Sequence, residues 1–218
     1  RQVMGGLHPA YDYVRAAIEA GKNVVTANKA LVCTFYDELL PLVQEKGVCF
    51  RCTAAVGGGI GCGGCRSGNG CVFGGVVNEA IEKAKTADGF VFGSPVHYAS
   101  AAGNMASFMD RLAYAGGKYL AYKPAAICCS ARRAGTTTTL DQLVKYPEFF
   151  HMPLVSGSYW PMVHGSNPEQ VLQDQEGCAV MRELGRNMAW LLRCIEAGKA
   201  AGISHPENPR RPMTNFIR

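Results

Sequence analysis

The sequence predicts a doubly wound α/β fold, a five-stranded parallel sheet with helices on both faces. Short runs of β-branched and apolar residues (22–28, 48–56, 90–96, 124–131 and 153–160) alternate with segments whose apolar residues recur at helical spacing. Each helical segment between two strands has one apolar stripe, and a crossover packed on a parallel sheet is the arrangement that buries it. At 218 residues, with no repeat, long linker or low-complexity block, the chain fits one such domain.

The elements follow in order. Pro9 opens a helical pattern with Val14, Ala17 and Ile18 on one face, and Gly21 separates it from the strand "KNVVTAN" (22–28). Leu31, Phe35, Leu39 and Leu42 recur at helical spacing before Gly47, with a kink expected at Pro41. "VCFRCTAAV" (48–56) reads as the second strand. After a glycine-rich stretch, "VNEAIEKAKTADG" reads as a helix ended by Gly89, and "FVFGSPV" (90–96) as a strand buried on both faces. Met105, Phe108, Met109 and Leu112 line the next helix, and Leu140, Leu143 and Val144 line another between the strands 124–131 and 153–160. Met181, Leu184, Met188, Leu191 and Ile195 mark a closing helix.

Composition narrows the function classes. No apolar run approaches the roughly 20 residues that cross a bilayer, so no membrane partner is expected. The net charge of +5 is mild and its basic residues are dispersed, apart from Arg132-Arg133 and Arg210-Arg211, which favours small anionic ligands over nucleic acid. Five of the ten cysteines (Cys49, Cys128, Cys129, Cys178 and Cys194) sit in apolar runs, which argues for a reducing, cytoplasmic setting and against a disulfide scaffold. No signal-peptide pattern opens the chain, and Arg1 rather than Met as first residue points to a processed chain or a fragment.

Four motifs in fixed order, "ADGFVFGSPVHYASAAGNMASFMDR", "SARRAGTTTTLDQL", "SYWPMVHG" and "EGCAVMRELGRNMAWLL", occur from Cys62 onward. They resemble the NADPH-dependent FMN reductases and iron-sulfur flavoproteins of the flavodoxin-like superfamily. Residues 1–60 instead resemble part of homoserine dehydrogenase, through "MGGLHPAYDYVRAAIEAGKNVVTANKALV" and "AAVGGGI". That family's dinucleotide-binding glycine loop is absent, and Thr53 stands where it usually has a metal-associated Glu. The two resemblances divide the chain into a dehydrogenase-like piece (1–60) and a reductase-like region (61–218), expected to form one structural domain. The first piece would supply the first two strands of a flavodoxin-like sheet of order 2-1-3-4-5, with ligand at the carboxyl ends of strands 1 and 3, where the winding reverses.

The resemblance implies FMN as cofactor, NADPH as electron donor and a small-molecule electron acceptor, in a homo-oligomer. It places the flavin ring against "SPVHY" (Ser94, Pro95, Val96, His97 and Tyr98) and against "SARRAG", where Ser130, Ala131, Arg132, Arg133 and Gly135 would contact the ring or a phosphate. The plainer alternatives are a strand-to-helix turn capped by Ser100 and two solvated arginines. The phosphate loop expected after strand 1 is reduced to "TANKAL", leaving Asn28, Lys29 and a helix N-terminus to hold a phosphate, or Asn28 simply to cap the helix. Trp160 and His164, from "SYWPMVHG", would cover the flavin or a partner's pocket, and His164 is given no catalytic role.

Cys62, Cys65 and Cys71 in "IGCGGCRSGNGC" (60–71) are the candidate metal ligands. Three thiolates leave a four-cysteine cluster incomplete unless Cys52 joins them, so an iron-sulfur cluster is not expected, and a zinc site would lack its fourth ligand. The other reading is a loop that keeps its cysteines without metal. Two further readings stand beside the flavin enzyme: a non-catalytic chimera unable to hold FMN, and a remnant of homoserine dehydrogenase activity.

Overall fold

The computed structural model describes residues 7–26, 28–52, 63–68 and 70–209. The chain is α/β, with a mostly parallel sheet flanked by helices. It begins with helix α1 (Ala10–Glu19), strand β1 (Val24–Thr26), helix α2 (Lys29–Lys46) and strand β2 (Phe50–Cys52). Asn28 caps α2 by accepting the Leu31 N–H at 3.1 Å, and Gly47, at φ +60°, ends it in the left-handed conformation. The irregularity in α2 falls at Phe35 (φ −115°, ψ 18°) rather than at the predicted Pro41. Tyr11, Val14 and Ile18 of α1 meet Leu31, Val32 and Leu39 of α2 over Val24, closing a small core of their own.

A single 3-10 turn (Gly64–Ser67) leads to helix α3 (Val76–Thr86), strand β3 (Phe90–His97), the two-residue strand β4 (Ser100–Ala101) and helix α4 (Gly103–Gly116). Strand β5 (Ala125–Ala131), helix α5 (Thr136–Phe149), strand β6 (Met162–His164), helix α6 (Pro168–Gln173) and the long helix α7 (Gln175–Ala200) complete the described chain. β3 and β5 run parallel from Phe90↔Ala125 to Pro95↔Ser130, and β6 runs parallel to β5. Successive residues of β5 point to opposite faces. Ala125 and Ile127 join the main core with Val77, Ile81, Met109, Leu112 and Leu143, while Ala126 packs under Leu184 of α7.

The expected strand order is corrected. Among the described residues β1 pairs with β2 alone, as a separate two-stranded sheet, and the main sheet has the order β4-β3-β5-β6. The three-residue β1 commits Val24 to the core between α1 and α2. The two cores meet at Phe73, which packs against both and receives the Tyr36 ring edge-on at 5.7 Å. β3 is not buried on both faces: Phe92 is buried but Val91 is 65% exposed, because α7 covers the sheet at β5 rather than at β3. The strand expected at 153–160 is displaced. Leu154 makes an isolated parallel bridge to Ala125, the chain bulges away, and the ladder resumes at Met162–His164.

Candidate functional site

Two turns at the carboxyl ends of β3 and β5 form the candidate site. They leave the sheet side by side, since Pro95 and Ser130 are register partners in the parallel ladder. Most of "SPVHY" is strand rather than loop. Ser94 to His97 complete β3, and Tyr98 and Ala99 form a two-residue reversal into β4, with His97 opposite Ser100. Both reversal residues lie at positive φ, +51° for Tyr98 and +55° for Ala99. This is the backbone of a hairpin turn usually given to Asn-Gly, and two L side chains held there store strain of the kind that collects at binding sites. The Tyr98 side chain is fully exposed.

The second turn locks onto the first. Gly135, at φ +93°, leads into α5, and a Cβ there would stand 2.6 Å from Ala99 Cα and 2.9 Å from Val96 Cγ1. The close approach expected of Gly135 is therefore made to the neighbouring turn. Thr138 Oγ1 donates to the Ala99 carbonyl at 2.8 Å, and Gln142 Oε1 accepts from Ser100 Oγ at 2.6 Å and from the Ala101 N–H at 2.9 Å. Ser94 Oγ, 4% exposed, accepts the Ala102 N–H at 3.0 Å and donates to the Pro95 carbonyl. Ser100 thus bonds α5 and caps nothing: α4 begins at Gly103 behind Ala102. Thr138 and Gln142 escaped sequence reading, because as residues of an ordinary helical turn they announce no partner 40 positions away.

Arg132 and Arg133 are exposed between β5 and α5, while Ala131 is buried and Ser130 half-buried. Burial pushes the Cys128 thiol up and the Cys129 thiol up to about 11. Cys129 donates to the Thr136 carbonyl at 3.6 Å. On the far side of β5, His164 pairs with Ala131, and its N–H donates to Asp174 Oδ2 at 2.7 Å. The Gly177 and His164 N–H groups hold the Asp174 carboxyl below the usual range. Trp160, 58% exposed, meets Tyr159 edge-on and lines a cleft of about 500 Å³ with Leu140, Val144 and Leu154, beside the turn pair and not within it.

FMN needs a flat, backbone-lined seat for its ring and cationic or amide groups for its phosphate. The turn pair supplies two backbone segments at neighbouring strand ends, with Gly135 packed against Ala99. The end of β1 meets the second poorly. The Asn28 carbonyl already caps α2, and β1 shares no ladder with β3 among the described residues, so Asn28 and Lys29 are not joined to the turn pair by any described pairing. Of the metal candidates, Cys62 lies outside the described residues. Cys65 and Cys71 line one small cavity, and no group of three metal-ligating side chains gathers among the described residues.

The family model for "NADPH-dependent FMN reductase" matches residues 52–167, more than half of the chain. An iron-sulfur flavoprotein of Methanocaldococcus jannaschii is 29% identical over 146 residues, covering 63% of this chain and 75% of that protein. The homoserine dehydrogenase of Pseudomonas aeruginosa is 48% identical over 59 residues, 27% of this chain, and the match spans only 14% of the dehydrogenase. An oxidoreductase structure from Corynebacterium diphtheriae superimposes at a TM-score of 0.42 with 19% identity, over 85% of this chain and 84% of that one.

Proposed function

Because the chain belongs to the NADPH-dependent FMN reductase family, we propose that it is a flavin-dependent oxidoreductase whose ring site is the turn pair 94–101 and 130–138. The interlock of Gly135 with Ala99 carries this reading, since it fixes two backbone segments at adjoining strand ends in one relative geometry. FMN, when bound, supplies the two-electron chemistry between NADPH and a small-molecule acceptor. The chain's part is to orient. Pro95 and the strained Tyr98-Ala99 reversal set one wall, Ser130, Ala131 and Gly135 the other, and Gln142 and Thr138 keep the walls from parting. Arg132 and Arg133, exposed beside the first turn of α5, are the cations available to a phosphate of the cofactor or of the donor. His97 and Tyr98 are exposed at the mouth, where a nicotinamide or acceptor ring would stack.

One observation favours the non-catalytic reading: β1, which would carry the phosphate loop, stands in a separate sheet and Asn28 serves α2. NADPH oxidation by the purified chain with added FMN and a quinone separates the two. FMN-dependent turnover that falls in Arg132→Ala or Arg133→Ala supports the enzyme, and a colourless chain that oxidises no NADPH refutes it.

A further inference from the structure

Two thiols of the glycine-rich stretch before α3, Cys65 and Cys71, lie against α4. Cys65 Sγ donates to the Tyr114 carbonyl at 3.7 Å, and Cys71 Sγ accepts from Arg111 Nε at 3.3 Å. Both sulfurs thus reach α4, Cys71 at the Arg111 side chain and Cys65 at the Tyr114 backbone carbonyl. The residues just outside the pair also meet: a Cβ on Gly64 would lie 2.5 Å from Val72 Cγ1. Gly64, Cys65, Cys71, Val72, Arg111 and Tyr114 all line one small cavity. The environments of the two thiols differ. Cys65 is half-buried and opens on a cleft of about 630 Å³, whereas Cys71 is 8% exposed and lies against the guanidinium, which also donates to the Gly74 carbonyl at 2.9 Å.

We propose that Cys65 and Cys71 are a redox-active pair that forms an intramolecular disulfide by exchange with a low-molecular-weight disulfide. The accessible sulfur of Cys65 attacks the incoming disulfide, whose S–S bond breaks; one small thiol leaves with the Cys65 proton and a mixed disulfide remains on Cys65. Cys71, beside the fixed cation of Arg111, then attacks the Cys65 sulfur and expels the second small thiol, which carries away the Cys71 proton. Two protein thiols are oxidised and one small disulfide is reduced to two thiols. The oxidised Cys65–Cys71 pair is a redox state separate from that of any flavin.

Incubation of the full chain with glutathione disulfide, followed by trypsin and mass spectrometry, tests this. Arg66 lies between the two cysteines in the sequence, so cleavage there leaves them in separate peptides that stay joined only through the disulfide. The expected product is that joined species, returned to free thiols by reduced glutathione. Cys71→Ser is expected to stop at a glutathione adduct on Cys65, Cys65→Ser to leave Cys71 unmodified, and Arg111→Gln, which removes the neighbouring cation, to slow the resolving step so that the mixed disulfide accumulates. A joined species that persists in Cys65→Ser through Cys52 or Cys62, or a wild-type chain that forms only glutathione adducts, overturns the proposal.

Discussion

Replacing Gly135 by alanine strikes the contact on which the turn pair depends. Two costs arise at this position. The backbone sits at φ +93°, where an L residue costs about 1–2 kcal/mol. The new methyl group would also stand 2.6 Å from Ala99 Cα, a backbone atom that cannot swing aside, and overpacking of that kind costs about 1–3 kcal/mol. Together they predict a loss of roughly 3 kcal/mol, which for a chain of this size lowers the melting temperature by about 6–12 °C. Gly21→Ala is the control: its φ is +69° but nothing lies within 4 Å of the added Cβ. It carries the backbone cost alone, so its melting temperature should fall by about 2–8 °C, less than for Gly135→Ala. Thermal unfolding of both variants by circular dichroism makes the comparison. Equal losses in the two would mean that the turns do not touch, and the interlock would be refuted.

Gln142→Ala removes the acceptor shared by Ser100 Oγ and the Ala101 N–H, and two such bonds predict a loss of about 2 kcal/mol together with faster hydrogen exchange at Ala101, read by urea titration and NMR. Asp174 is held ionised by the Gly177 and His164 N–H groups, so its contribution is present above the unfolded carboxylate pKa of about 4 and is lost as pH falls through the lower native value. Asp174→Asn should therefore flatten the loss of stability between about pH 5 and pH 2, as followed by urea midpoints across that range. Leu143→Ala, at a fully buried position of the main core, should cost about 2–5 kcal/mol in the same assay.

What could be read in advance follows from which forces are local. The helices were legible because their apolar stripes recur at 3.6-residue spacing, and Leu143, Met109, Leu112 and Leu184 are buried as that spacing requires. β3 and β5 were legible as apolar runs, and their pairing sets the turns that follow them side by side. Strand order was not legible. Parallel partners are chosen by distant packing, and nothing inside "VVT" shows that β1 will pair with β2 among the described residues. The hairpin at Tyr98-Ala99 carries no Asn-Gly signal. Gly157 and Pro161 punctuate the run 153–160, and the parallel ladder resumes only after them.

The central claim is that the interlocked turns seat the flavin ring, and titrating the purified chain with FMN while following flavin fluorescence tests it most directly. One site per chain is predicted, with affinity that falls in Gly135→Ala and is kept in Gly21→Ala. Absence of a saturable site, or equal affinity in both variants and the parent, would contradict it.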